Sequence, residues 1–449
     1  MNKHFLKKIR DNMPESLKYI AAPIIRGELV KNKEFLKYYN LLEKRESTSS
    51  EKIIEYQFSQ LKQVLIHSYQ DVPYYQELFK KISFDPYKFS DFKQMEEIPF
   101  LTRELVIENF EKLISRKEVK GGYYVGKTGG SSGLPLKFLL DFNSIYKENA
   151  FIYYYRKKAG YKFNDKLATF RDVGLGTKLC RYDAMYKELI FSPIRLSMVT
   201  INNYANRIDD FKPQYLNGYL SVIWYFAKLM ESSQITLKTK LKGIFLMSEN
   251  IDNKQRTFIE HFFNTKSYVH YGHSERCVLA EEKSRNNYEF DPYYGYTEQV
   301  HIENSNYSIV GTGFLNYIMP FIRYKTDDVC SPVNQFYTIE GKRSSAVGLH
   351  GYNNEFITSA VFDLHKEVFK NIITYQFVQN EKGKADLLLI VNKHFKLSEI
   401  ESIKNDIYKD TKGIIDFDIK IVDHLILTPR GKSQMYISYT NNYSAKNRE

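Results

Sequence analysis

Between about residues 161 and 275 the chain alternates short apolar runs with amphipathic stretches, and this alternation constrains the fold more than any other feature. "QYLNGYL" leads into "SVIWYFAKLMESS", "LKGIFLM" precedes "NKQRTFIEHFFN", and "SYVHYG" follows. Runs this short and apolar read as buried strands and the stretches between them as helical crossovers, so a parallel sheet is expected. Beyond 285 the pattern changes: "TEQVHIENSNYSIVGTGFLN" alternates around a polar turn, which predicts antiparallel strands. Residues 1–120 read as mostly helical, broken at Pro73, Pro86 and Pro99. Within them Thr102 is placed as an N-cap, with Glu104 and Glu108 assigned to the positive end of its helix. "FNSIYKENAFIYYYRKKAGY" reads as a helix ended by Gly160, and the last hundred residues as a small α+β module with a helix near 397–410. The fold class expected is α/β with an α+β C-terminal domain. Residues 1–340 form a large domain of parallel-sheet α/β subdomains plus an antiparallel β portion. Residues 341–449 form a small mobile lid, joined through "IEGKRSSAVG".

A chain of 449 residues exceeds what one core supports, which agrees with two domains. No apolar run approaches the ~18 residues of a membrane span, and the basic N-terminus lacks the apolar stretch of a secretory signal. Three scattered cysteines, Cys180, Cys277 and Cys330, fit a reduced cytoplasmic protein. The net charge of +12 invites nucleic acid or an anionic surface as partner. No block of five or six like charges carries it, so it reads as lysine spread over solvated faces, with no nucleic-acid partner expected. Phe5, Leu6, Ile9, Met13 and Leu17 have helical spacing; packing on the protein body explains them as well as peripheral membrane association does.

Two phosphate-binding patterns overlap in "GGYYVGKTGGSSGLPLKF" (121–138). GGYYVGKT satisfies the Walker A spacing letter for letter. However, "ISRKEVK" before it is too polar for a central strand, and the glycines and proline after it are poor helix starters. Tyr123, Tyr124 and Val125 read instead as a strand entering a second loop, Thr128-Gly129-Gly130-Ser131-Ser132-Gly133-Leu134-Pro135, with "LKFLLD" as the strand that leaves it. Glycines let a backbone approach an anion, and hydroxyls and successive N–H groups donate to it. Taken alone, the same residues suit an ordinary hairpin.

TGGSSGLPLK resembles the T-[SG]-G-[ST]-[ST]-G-x-P phosphate loop of adenylate-forming enzymes, most closely the phenylacetate–CoA ligase branch with its capsular-polysaccharide (CapK-type) members. The resemblance spans about residues 50–435 and includes "SYQDVPYYQELF", "EEIPFLTRELVIENF" and "LKGIFLMSENIDNKQRTFIEHFF". The family's Y-G-x-[ST]-E motif occurs twice, at Tyr271-Gly272-His273-Ser274-Glu275 and at Tyr294-Gly295-Tyr296-Thr297-Glu298. The first ends a predicted parallel strand, where α/β sheets bind ligands, and is chosen; the second opens an antiparallel strand. "PFIRYKTDD" resembles P-[LF]-x-R-Y-[RK]-T-G-D, with Asp327 in place of the glycine. "IEGKRSSAVG" departs from the hinge GR-x-x-D: Lys342 stands where Arg is usual, Arg343 lies beside it, and Ser345 replaces the Asp. "LTPRGKSQMYI" resembles a shortened R-x-x-GK loop.

The resemblance implies Lys432 as the catalytic lysine and Thr128, Gly129, Gly130, Ser131, Ser132, Gly133, Lys137 and Ser274 around the phosphates. Ser248, Glu249, Tyr271, Gly272, Asp328 and Arg343 would lie around adenine and ribose, with Glu275 on Mg²⁺. It implies ATP and Mg²⁺ as cofactors and a small carboxylic acid activated as its acyl-adenylate. The acyl group would then pass to coenzyme A, a carrier-protein thiol or an amine, in surface-polysaccharide biosynthesis. The alternative is a non-catalytic nucleotide-binding member of a biosynthetic complex. His270, His273 and Cys277 form half of a zinc pattern with no second pair at suitable spacing. "GLGTKL" (174–179) reads as a loop near the acyl pocket. Tyr153, Tyr154, Tyr155, Trp224, Tyr225 and Phe226 read as core before aryl site, from their helical spacing.

Overall fold

The computed structural model describes residues 14–117, 122–127, 136–171, 173–247, 249–303, 305–340, 348–353, 355–357, 367–428 and 431–439. Thr128 to Gly133, Ser248, Arg343 and residues 341–347 of the linker lie outside the described residues.

Twelve strands form one continuous sheet. Its parallel half runs Glu188–Phe191, Leu167–Phe170, Tyr215–Gly218, Gly243–Leu246, Ser267–Gly272 in spatial order. The first four are four-residue strands buried along their whole length, as strands covered on both faces must be. Cys180–Asp183 closes that edge in antiparallel pairing. On the other side follow Leu279–Ser284, Asn287–Phe290, Phe336–Glu340, Tyr324–Val333, Asn306–Gly313 and Gly295–Glu303, all antiparallel. The sequence separates a parallel from an antiparallel portion, whereas the structure joins them at Ser267–Gly272 and Leu279–Ser284. The short connection 273–278 dictates this, because a parallel partner needs a crossover of about a dozen residues or more. The antiparallel half therefore begins at Leu279, earlier than the sequence pattern indicates.

The helix Leu220–Ser232 is buried on most of its circumference (Leu220, Val222, Ile223, Phe226, Ala227, Leu229, Met230). It packs on the sheet and also meets the strand Ile372–Glu381. That strand belongs to a four-stranded sheet ordered Asp416–Ile421, Lys384–Val391, Ile372–Glu381, Tyr436–Ser438. The helix Glu399–Thr411 and the residues Phe377, Leu387 and Leu389 form this module's own core.

The N-terminal part is helical as expected: Glu15–Val30, Lys33–Glu43, Ser50–Asp71 and Pro73–Lys81. Thr102 caps Arg103–Glu108 by accepting a hydrogen bond from Leu105 N (3.3 Å). The helix is shorter than the apolar pattern indicates, so Glu108 stands at its C-terminal end and only Glu104 lies in the first turn. Tyr123–Lys127 and Lys137–Asp141 pair antiparallel with Lys127 opposite Lys137, so the glycine loop connects a hairpin. Asp141 accepts from Ser144 N (2.7 Å) and starts the helix Phe142–Lys157; Gly160 follows with φ +75°.

Candidate active site

Three turns leave the carboxyl ends of adjacent parallel strands and bring the candidate residues to one edge of the sheet. After Tyr215–Gly218 comes Tyr219, which starts the helix Leu220–Ser232. After Gly243–Leu246 comes Glu249, whose carboxylate accepts from both Ser221 N and Ser221 Oγ (2.9 Å each). Both oxygens of Glu249 are therefore used to hold the Tyr219–Ser221 turn at a helix N-terminus, where negative charge is favoured. Burial raises the Glu249 carboxyl above its usual range, opposed by the two Ser221 bonds and the nearby Lys432 ammonium.

After Ser267–Gly272 comes the first Y-G-x-[ST]-E copy. Tyr271 donates to Asp328 Oδ2 (2.7 Å), and His273 Nε2 lies 3.2 Å from the Tyr271 hydroxyl. Burial and the Asp328 carboxylate push the Tyr271 hydroxyl well above its normal range, so it remains a proton donor. Asp328 is presented by a bent stretch of the strand Tyr324–Val333. Asp327 has φ +65°, the left-handed conformation for which a glycine is suited at this position. Thr326 Oγ1 fixes the bend by donating to Ile309 O (2.9 Å) and accepting from Asp328 N (3.2 Å). Glu275 Oε1 accepts from Tyr324 OH (3.3 Å). The "IP-x-L-T" segment reaches the same strand: Leu101 N donates to Arg323 O (3.0 Å) and Lys325 N to Leu101 O (2.9 Å).

Arg276 ties this turn to the glycine hairpin. Its guanidinium donates to Ser144 Oγ (2.6 Å) on the helix after the hairpin and to Tyr124 OH (3.0 Å) on the strand before the loop. Glu148 lies 3.7 Å from Arg276 Nε and accepts from Tyr294 OH (2.5 Å). Ser274 and Glu275 are thereby held in register with both flanks of the loop.

Lys432 arrives from the C-terminal module. Thr428 N donates to Lys432 O (2.9 Å) and Lys432 N to Thr428 Oγ1 (3.1 Å), closing a tight turn. Its ammonium sits over the Tyr219 ring, 5.0 Å from the centroid. Gly431 has φ +81°, and a Cβ there would come within 2.8 Å of Pro193, so the turn seats on the larger part through a residue without a side chain.

The structure thus joins Tyr271 to Asp328, Glu275 to Tyr324, and Lys432 to Tyr219 beside Glu249. Lys137 lies exposed at the start of its strand, outside these contacts. Tyr219, Ser221 and Arg276 escape the motif reading; their one sequence signal is position, directly after a predicted strand or motif at the sheet's carboxyl edge. Of the aromatic residues considered, Tyr153, Tyr154, Tyr155 and Phe226 are core, as expected. Among the described residues no group of three or more His, Cys, Asp or Glu converges as metal ligands, and no helix is long and apolar enough to cross a membrane.

No protein-family model matches the chain. It is 24% identical over 439 residues to protein CapK of Staphylococcus aureus, spanning 92% of this chain and 95% of that one. A crystal structure of 2-hydroxyisobutyryl-CoA ligase in the postadenylation state, in complex with R3-HIB-AMP, matches with TM-score 0.63 at 15% identity, over 85% of this chain and 88% of that one. The same ligase with 2-HIB-AMP and CoA in the thioesterification state matches with TM-score 0.57 at 15% identity, over 89% and 92%.

Proposed function

From a chain that has the fold of the adenylate-forming CoA ligases and a CapK-type relation along its length, we propose an ATP-dependent enzyme that activates a carboxylic acid as its acyl-adenylate. The observation that carries this reading is the meeting of Lys432 with Tyr219 and Glu249 at the sheet edge that also carries Tyr271, Asp328 and Glu275. A carboxylate oxygen of the acid attacks the α-phosphorus of ATP. A new P–O bond forms, the bond from that phosphorus to the bridging oxygen breaks, and pyrophosphate leaves with the electron pair.

Each residue has a part in that step. The Lys432 ammonium lies between the carboxylate and the α-phosphate and stabilises the charge that builds there. Tyr271 stacks on adenine, and Asp328, oriented by the Tyr271 hydroxyl, accepts from the ribose hydroxyls. The glycine loop and Ser274 surround the phosphates, with Lys137 at the loop's exit. Ser248, Gly272 and Arg343 complete the nucleotide site. Glu249 acts by holding the Tyr219 turn. Glu275 offers Mg²⁺ a hard carboxylate oxygen; phosphates and waters would complete the shell, the mode this ion favours. Bound there, the ion would neutralise phosphate charge. The C-terminal module is the lid that delivers Lys432, and the acyl group then passes to coenzyme A or another thiol or amine. The sequence resemblance to capsular-polysaccharide (CapK-type) members supports surface-polysaccharide synthesis as the setting.

The test is pyrophosphate release from ATP across a panel of carboxylic acids, with hydroxylamine to turn over trapped adenylate. Lys432→Ala is expected to lower the rate about 100- to 1000-fold while ATP affinity stays within a few-fold. Wild-type turnover in that variant would remove the lysine from the mechanism. ATP binding with no pyrophosphate release from any acid would favour the non-catalytic reading instead.

A further inference from the structure

Beside the Lys432 turn lies a cavity of about 240 Å³ with walls from both parts of the molecule. Ile194 and the first turns of the helix Leu220–Ser232 (Ser221, Val222, Tyr225) form one side. Leu425 and Leu427, on the approach to Lys432, form the other. Its lining is mostly apolar: among the described residues no Lys, Arg, Asp or Glu lines it and His424 is the one side chain there that can take a positive charge, so a second ionised group on a ligand would give up its water for at most one imidazole. Ser221, on its wall, bonds Glu249, and the Lys432 ammonium lies over Tyr219, two positions before Ser221. The cavity therefore opens where the reacting carboxylate must sit. The Tyr225 hydroxyl is buried with no hydrogen-bond partner among the described residues, an arrangement that costs about 1–3 kcal/mol unless a ligand satisfies it.

We propose that this cavity receives the hydrocarbon part of the acid, making the substrate a monocarboxylate with an uncharged, largely apolar tail that ends in a hydrogen-bonding group facing Tyr225. The inference rests on the adenylation reading, because both walls coexist while Lys432 is docked, the arrangement in which the acid is activated. A cavity of about 150 Å³ holds benzene, so this one admits a tail of roughly eight to ten non-hydrogen atoms. Because Leu425 and Leu427 belong to the C-terminal module, the acid contributes to holding Lys432 in place, and acids that leave the cavity empty are activated poorly.

The experiment is calorimetric titration of the full chain, with a non-hydrolysable ATP analogue present, by 3-(4-hydroxyphenyl)propanoate, 3-phenylpropanoate, octanoate, acetate and adipate. Pyrophosphate release from ATP is measured with the same acids. The long monocarboxylates are expected to bind at least tenfold more tightly than acetate or adipate. Ile194 is 47% exposed, so Ile194→Trp fills the cavity mouth without disturbing the core. It should weaken long acids at least tenfold and leave the analogue's affinity unchanged. Tyr225→Phe should erase the advantage of the hydroxyphenyl acid over the phenyl acid. Val222→Ala should shift the preference toward longer tails, about fourfold per added methylene. Equal binding of adipate, an unchanged affinity in Ile194→Trp, or no binding of any acid would overturn the proposal. Binding with the expected dependences but no pyrophosphate release would uphold the cavity and sink adenylation. Release from an acid whose KM ignores Ile194→Trp would do the reverse.

Discussion

The chain contains the same five-residue pattern twice, and the two copies have opposite fates. Tyr271-Gly272-His273-Ser274-Glu275 leaves the carboxyl end of a parallel strand, with Tyr271 bonded to Asp328. Tyr294-Gly295-Tyr296-Thr297-Glu298 is structural. Tyr294 is fully buried and bonds Glu148, and Glu298 forms a buried ion pair with Arg323 (2.8 Å). The second copy is also the seat of the first. A Cβ on Gly295 would come within 2.5 Å of Cys277 O, and one on Gly313 within 2.5 Å of Arg276 O, so the turn after Glu275 lies directly on backbone. Identical letters stand here in different settings: at the carboxyl end of a parallel strand in one copy, and packed under that copy in the other.

Exchanging the two glutamates breaks the comparison most sharply. Glu298→Ala leaves Arg323 buried without its carboxylate, and such a loss costs about 3–5 kcal/mol. Denaturant unfolding should show that drop, while turnover per folded molecule stays within a few-fold. Glu275→Gln should do the opposite, holding stability within about 1 kcal/mol and lowering Mg²⁺-dependent pyrophosphate release on the order of 100-fold. If Glu275→Gln unfolds the protein and Glu298→Ala removes activity alone, the two copies have been assigned the wrong way round.

A smaller effect separates the strand of the first copy from its turn. His270, partly buried and near Arg156, has its imidazole held down at about 4 by burial and by that positive charge. Above the ordinary value of 6.5 the ring is neutral folded or unfolded, and its contribution is constant. As pH falls from 6.5 to about 4 the unfolded chain takes up the proton first, so stability is lost across that window and levels off below it. The loss is at most about 3 kcal/mol, since the ring keeps some solvent contact. His270→Gln should flatten the difference between pH 4 and 6.5, and an unchanged slope would mean that other groups set it.

The same comparison shows which parts of the molecule the sequence makes legible. The parallel strands around Tyr215–Gly218, Gly243–Leu246 and Ser267–Gly272 are readable because short, largely apolar runs alternate with amphipathic stretches. The position of the first copy at a strand's carboxyl end follows from that reading. The pair Ser221 and Glu249 is not readable, since 28 residues separate them and neither belongs to a motif that names the other. Lys432 is suggested by its motif, but that it rests over Tyr219 depends on how two sheets pack, which no local pattern encodes. Arg276 looks like an ordinary charged residue until burial places Ser144, Tyr124 and Glu148 around it.

The finest distinction concerns Asp327, where the family pattern has glycine and this chain does not. Its φ of +65° is the left-handed conformation that suits a glycine, adopted here by an aspartate. Aspartate tolerates the left-handed region better than most residues, and glycine would relieve the remaining strain at about 0.5–1 kcal/mol of chain entropy. The two terms oppose, so Asp327→Gly should change stability by less than about 1 kcal/mol and leave the KM for ATP within twofold. Asp327→Val, β-branched at a positive φ, should destabilise by about 1–2 kcal/mol and raise that KM by displacing Asp328. If glycine instead raises the KM strongly, the Asp327 carboxylate itself contacts the nucleotide. The ribose contact then belongs to the pair Asp327 and Asp328, and the change from glycine has altered the site as well as the turn.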